Sequence, residues 1–187
     1  MSGKTVFLDR DGTINVEKNY LYRIEDFEFI IGAPEAIALL KKNGYQVIVV
    51  SNQAGVARGY YTEADVKKLH CFVNEALKKW NTSIDAFYFC PHHPTAGIGK
   101  YKRECCCRKP NTGLFEQAIK DFEVDKKGSW MIGDNSSDVE AGNKFGLKTV
   151  LVRTGYGKKL EQDGYRNYLY IADNLYDAVE CILREGA

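Results

Sequence analysis

Short apolar, β-rich runs alternate along this chain with stretches of helical period, and few architectures accept that order. The runs are Lys4 to Leu8, Tyr45 to Ser51, Ile84 to Phe89, Trp130 to Ile132 and Lys148 to Val152, with Tyr168 to Ile171 as a candidate edge strand. Between them, Pro34 to Asn43 reads as a helix with proline in its first turn and Gly44 past its end. Thr62, with Asp65 as a capping partner, opens a second helix whose Val66, Leu69, Val73, Leu77 and Trp80 share one face. Leu114 to Phe122 follows, with Phe115, Ala118, Ile119 and Phe122 inward, then Ser136 to Phe145 closed by Gly146, and Asn174 to Arg184. Strands separated by helices imply an α/β fold, a parallel sheet flanked by helices on both faces. No repeat or linker divides residues 1–187, so one domain is expected. The longest aperiodic stretches, 10–33 and 90–112, are loops on that core, and loops of that length usually carry function.

The first strand runs into Asp9-Arg10-Asp11-Gly12-Thr13. In a parallel sheet, ligands gather beyond the carboxyl ends of the strands. Two carboxylates so close together repel unless a divalent cation or a proton joins them. Alone, Asp-Gly marks an ordinary turn. The other strand ends change that reading. The second run ends in Ser51-Asn52-Gln53, Arg108-Lys109-Pro110 precedes the Leu114 helix, and the Trp130 run ends in Gly133-Asp134-Asn135-Ser136-Ser137-Asp138. All emerge on one side of the sheet, so acidic, hydroxyl and basic groups converge.

That set suits phosphoryl transfer assisted by Mg²⁺, which removes the repulsion between a carboxylate nucleophile and a phosphate. Asp9 is placed to attack and form an aspartyl phosphate. Asp11 is placed to protonate the leaving oxygen and then activate water. Ser51 and Lys109 hold the transferring oxygens. Asp134 completes the metal shell, and Asp138 orients its neighbours. The sequence resembles the haloacid dehalogenase superfamily of phosphotransferases over roughly residues 4–152: DxDGT at Asp9 to Thr13, a strand-end Ser51, Lys109, and GDxxxD at Gly133 to Asp138. The resemblance implies a Rossmann-like sheet without a large cap domain.

Cys90-Pro91-His92 and Cys105-Cys106-Cys107 bracket a loop at about 90–107. Alternate residues of extended chain point the same way, which selects Cys90, His92, Cys105 and Cys107 as four ligands for a structural Zn²⁺ and leaves His93 outside. Cys71 and Cys181 lie in helical segments and read as packing residues. FLDRDGTIN (Phe7 to Asn15), SNQAGVARG (Ser51 to Gly59), CPHHP (Cys90 to Pro94) and CRKP (Cys107 to Pro110) resemble the branch containing heptose-bisphosphate 7-phosphatases and histidinol-phosphate phosphatases. That resemblance implies Mg²⁺ on Asp9, the Asp11 main-chain carbonyl and Asp134. It places Glu17, Lys18, Asn19 and Tyr20, and Ser51, Asn52, Gln53 and Ala54, along the substrate pocket, with Arg108 on the far end of a sugar bisphosphate. Asn135 stands where the heptose enzymes commonly carry lysine, which leaves histidinol phosphate or another small phosphate ester as an alternative substrate.

Twenty-six basic and 25 acidic residues leave a net charge of +1, so no global field favours nucleic acid or an anionic membrane. No apolar run approaches the roughly 20 residues that span a bilayer. Met1-Ser2-Gly3-Lys4 leads into the first strand without a signal-peptide pattern, and six cysteines without such a signal point to a reducing compartment, the cytoplasm. A monomer acting on a small phosphorylated sugar is the resulting expectation. A zinc-stabilised binding module and a nucleic-acid 3′-phosphatase are weaker readings, the first because all four acidic and basic motif residues are present, the second because no basic stripe exists.

Overall fold

The computed structural model describes residues 3–185, so Met1 and Ser2 of the leader reading lie outside the described residues. The strands are β1 (Thr5–Leu8), β2 (Gln46–Asn52), β3 (Ala86–Cys90), β4 (Trp130–Gly133), β5 (Lys148–Val152) and β6 (Tyr170–Ala172). They form one sheet in the order β3-β2-β1-β4-β5-β6, with every pairing parallel. The helices are α1 (Ala33–Lys42), α2 (Ala54–Ala57), α3 (Glu63–Leu77), α4 (Gly113–Asp121), α5 (Ser136–Phe145), α6 (Gly157–Gln162) and α7 (Leu175–Glu185).

β1 is buried along its whole length, and its alternation divides the core. Val6 and Leu8 join Val47, Val49, Ile132 and Val150 under α1, α3 and α7. Phe7 faces the other way with Ile48, Val50 and Met131 under α4 and α5. There Phe115 meets Phe7 edge-on at 5.0 Å and stacks on Phe145 at 5.1 Å. Burying an aromatic side chain this way is worth several kcal/mol, about 3–5 on truncation to alanine.

α3 starts as its sequence dictates: Thr62 and Asp65 form a complete capping box, and Val66, Leu69, Val73 and Leu77 are buried. Trp80 lies beyond the helix in a short 3₁₀ turn. In α4, Leu114, Phe115 and Ala118 are buried, whereas Ile119, expected inward, is 40% exposed. At ~100° per residue, Ile119 sits about 90° from the centre of the stripe made by the other three, beyond its edge. The edge strand lies slightly later than expected, and α2 and α6 are too short for periodicity to reveal.

Successive strands run outward from β1 to β3, and the chain then returns to place β4 on the other side of β1. The order therefore reverses between β1 and β4, where an open α/β sheet leaves a crevice beyond its strand ends.

Candidate active site

Asp9 extends β1 by one residue, its N–H donating to the Ile132 carbonyl at 3.0 Å. Its carboxylate meets Lys109, whose side chain is only 1% exposed. The ammonium donates to Asp9 Oδ1 at 2.8 Å and the Val50 carbonyl at 2.6 Å, and pairs with Asp138 Oδ1 at 2.7 Å. All three N–H bonds are thus engaged. The Asn52 amide clamps the Lys109 main chain, accepting its N–H and donating to its carbonyl, each at 3.0 Å. Ser51 is buried and accepts from Gln53 Nε2 at 2.6 Å, so its own hydroxyl proton remains to be donated.

Asp134 follows β4, and its Oδ2 accepts the Tyr156 N–H at 2.8 Å. Gly12 and Gly155, at φ +79° and +54°, close over that carboxylate; a Cβ on either would come within 2.3 and 2.0 Å of Oδ2. Asp138 stands in the first turn of α5, where its Oδ2 accepts the Asn135 N–H at 3.0 Å and completes a capping box. Asp9, Asp134 and Asp138 each present an oxygen within 4.8 Å of the others. Hard carboxylate donors in this number fit a divalent cation of the Mg²⁺ type. Burial, with Asp138 and Asp11 adding to it and Lys109 opposing, pushes Asp9 up to about 7. Burial, with the Asp9 and Asp138 carboxylates adding to it, pushes Asp134 well above its usual range. For Lys109, burial favours the neutral amine, but Asp138 and Asp9 outweigh it and hold the ammonium charged.

Asp11 is turned away from this cluster. Arg10 grips its carboxylate through Nε and Nη2 at 2.9–3.2 Å, and Asn15 Nδ2 and Gln53 Nε2 donate to it at 3.0 Å. Burial alone raises its affinity for a proton, yet Arg10 and these hydrogen bonds prevail and hold it below the ordinary aspartate range.

A crevice of about 390 Å³ opens onto Asp9, Asp11, Lys109 and Asp134. Glu17, Asn19 and Tyr20 border it from the 15–31 flap, where Asn19 and Tyr20 hold left-handed φ of +50° and +70°. Asn52, Gln53, Ala54, Arg108 and Asn135 also line it, whereas Ser51 lies just beneath. Lys18 does not line it: its ammonium is held by the Asp26 carbonyl and Glu28. Sequence reasoning missed Tyr156 and Tyr61 in the wall, and the burial of Arg10. A larger cavity of about 890 Å³ beside the cysteine loop contains none of the three clustered carboxylates, which open onto the smaller one.

Cys90, His92, Cys105 and Cys107 converge as one cluster. The three sulfurs lie 3.1–3.5 Å apart and His92 Nδ1 is 3.4 Å from Cys107 Sγ, near the roughly 3.7 Å edge of a tetrahedron with ~2.3 Å metal–sulfur bonds. The four donors therefore fit a closed zinc site. In the metal-free cluster the Cys90–Cys107 hydrogen bond draws Cys107 down to about 5 and pushes Cys90 up in return, so the two sulfurs share a proton that a bound metal would displace. His93 stays outside, its Nδ1 accepting the Ala96 N–H at 3.0 Å. Cys71, expected to pack, is exposed on α3. Arg108 joins loop to crevice by donating to the His92 carbonyl at 3.2 Å.

The HAD-hydrolase-like family model matches residues 106–178. A D-glycero-beta-D-manno-heptose-1,7-bisphosphate 7-phosphatase of Haemophilus ducreyi is 41% identical over 181 residues, covering 96% of this chain and 98% of its own length. A D-glycero-alpha-D-manno-heptose-1,7-bisphosphate 7-phosphatase of Photorhabdus laumondii is 41% identical over 154 residues, covering 82% and 84%. Among solved structures, the D,D-heptose 1,7-bisphosphate phosphatase of B. bronchiseptica complexed with magnesium and phosphate superposes with a TM-score of 0.85 at 31% identity, covering 97% of this chain and 99% of its own. No helix among the described residues is long and apolar enough to cross a membrane.

Proposed function

The chain belongs to the haloacid dehalogenase-type phosphoric monoester hydrolases, in the family of the heptose-1,7-bisphosphate 7-phosphatases, and from that premise we propose that it removes the 7-phosphate of a D-glycero-D-manno-heptose 1,7-bisphosphate. The observation that carries this reading is the cluster of Asp9, Asp134 and Asp138 around the Lys109 ammonium at the floor of the crevice. Bound there, by Asp9, the Asp11 main-chain carbonyl and Asp134, Mg²⁺ would offset the repulsion between carboxylate and phosphate.

Asp9 attacks phosphorus, and the sugar oxygen leaves as the new acyl–phosphate bond forms. Lys109 and the Ser51 hydroxyl follow the charge that spreads over the transferred oxygens. Asp11 delivers a proton to the leaving oxygen; arrival of a phosphate dianion beside it raises the proton affinity that Arg10 keeps low at rest. The same carboxylate then takes a proton from water, whose oxygen displaces Asp9 and releases phosphate. Arg108 offers its fork to the second phosphate. Held by Cys90, His92, Cys105 and Cys107, zinc would have no open position and would act through structure alone, by fixing the segment that leads directly into Arg108 and Lys109.

The Asn135 side-chain oxygen caps α5 by accepting the Ser137 N–H at 3.3 Å and brings no charge to the crevice. Histidinol phosphate is therefore the second reading. We take residues 1–187 as one catalytic domain with its zinc loop at about 90–107, a monomer of the cytoplasm. Six free thiols and a net charge of +1 support that placement and argue against nucleic-acid or membrane partners.

Phosphate release from both heptose anomers, histidinol phosphate and simple sugar phosphates, compared by kcat/KM with Mg²⁺, tests the substrate; a preference for histidinol phosphate would displace the heptose reading. Asp9→Asn tests the covalent step. Turnover should vanish while the fold remains, and residual turnover above background would refute the nucleophile.

A further inference from the structure

Arg10 is the bulkiest side chain among those with no exposure. A buried ion pair of this kind contributes little net stability over apolar packing, so its presence asks for another reason. Nε and Nη2 are held by Asp11, and Nη2 also donates to the Leu21 carbonyl of the flap at 3.0 Å. Nη1 reaches a different element: it lies 3.4 Å from Nε2 of His70, on α3 and 60 residues away. His70 is 5% exposed, stacked on Phe87 at 4.4 Å and 16° and edge-on to Phe89 at 5.8 Å. Its Nε2 faces a cation that can only donate, so the ring is neutral there with Nε2 as acceptor and the proton on Nδ1. Burial first, and the Arg10 charge second, hold the ring in that form, down to about 3. Gln53 closes the network: Nε2 donates to Asp11 and to Ser51, while Oε1 accepts from Tyr61 Oη at 2.7 Å and lies 3.4 Å from Arg10 Nη2.

We infer that Arg10 and, behind it, His70 are positioning residues for the proton-transfer step. The clamped imidazole and the Leu21 carbonyl fix the plane of the guanidinium, and the guanidinium fixes the Asp11 carboxylate in one orientation apart from the three-carboxylate cluster. The inference rests on the reading of Asp11 as proton donor. Neither residue touches the substrate crevice; each acts through the carboxylate.

A leaving-group comparison tests this, because an alkoxide needs a proton to depart and p-nitrophenolate does not. kcat/KM reports steps through departure of the leaving group, so it isolates the donor role. The readout is the ratio of kcat/KM for the best alkyl ester of the substrate panel to that for p-nitrophenyl phosphate. His70→Phe, which keeps a stacking ring and loses the acceptor, should lower the ratio about tenfold or more, against roughly 100-fold or more for Asp11→Asn. His70→Gln, whose amide oxygen restores an acceptor, should return it to within about threefold of the parent protein. Arg10→Lys, which keeps the charge and loses the fork, should fall with His70→Phe, and it serves should the phenylalanine variant fail to fold. Equal loss on both substrates in folded variants, or a glutamine variant no better than phenylalanine, overturns the inference. An unchanged ratio in Asp11→Asn overturns it together with the role given to Asp11, whereas a lowered ratio in Asp11→Asn alone overturns the positioning role and leaves Asp11 in place.

Discussion

Lys109→Met is the sharpest test of the charge balance at the floor of the crevice. Asp9, Asp134 and Asp138 carry up to three negative charges, and Lys109, 1% exposed, is the one cation among the described residues that bonds into the cluster, through Asp9 and Asp138. Removing one partner of a buried charge pair costs about 3–5 kcal/mol. The variant can soften that loss by taking up protons, since Asp9 already titrates at about 7, so the lower end applies near neutral pH. For a chain of this size each kcal/mol moves Tm by about 2–4 °C, giving a fall of roughly 6–12 °C for ~3 kcal/mol. Calorimetry in EDTA measures it. Added Mg²⁺ should then raise the Tm of the variant more than that of the parent, because it meets the same carboxylates without a competing ammonium; every tenfold gain in affinity adds about 1.4 kcal/mol of stabilisation at saturating metal. A variant melting within about 2 °C of the parent in EDTA, or an equal Mg²⁺ response in both, would refute the electrostatic reasoning.

Two further outcomes follow from the same geometry. In the metal-free protein Asp9 holds a proton below a pKa of about 7, so a cation must displace it there. Asp134 is raised as well, so apparent Mg²⁺ affinity, measured by calorimetric titration, should weaken as pH falls, by about tenfold per unit or more below the Asp9 value, and affinity that does not change between about pH 5.5 and 8 would sink the assignment. Removing zinc with a thiol-compatible chelator should abolish phosphatase activity while far-UV circular dichroism of the sheet persists, since Arg108 and Lys109 follow Cys107 directly. Full activity in protein shown by metal analysis to lack zinc would refute the link between loop and crevice.

The carboxylate tips were legible because topology does the gathering: a parallel sheet sends every β-to-α loop to one edge, so Asp9, Ser51 and Asp134 meet without any knowledge of side-chain packing. The cysteine loop was legible because a period of two places Cys90 with His92 and Cys105 with Cys107. Residues whose role depends on a partner far along the chain left no local mark. Arg10 reads in sequence as a charge between two aspartates, and only the fold reveals its burial against His70. The Tyr156 group that binds Asp134 is a backbone N–H, which residue identity does not encode. Ile119 failed because one helical step separates the inside of a stripe from its outside, and Lys18 because a flap without period does not say which way its side chains turn.

Lys109 has no donor to spare: a main-chain oxygen and two aspartates take all three before any ester arrives. An incoming phosphoryl oxygen must therefore evict a resident acceptor, and the gain on docking is only the difference between the old bond and the new. On the proposed attack by Asp9, that difference would grow as negative charge drains from the carboxylate into the trigonal group, because the ammonium would then follow it. Such an exchange favours the fleeting pentacoordinate species over the resting ester. On that reading a vanadate-like mimic of that shape should inhibit turnover at lower concentration than free orthophosphate, which meets a lysine already satisfied.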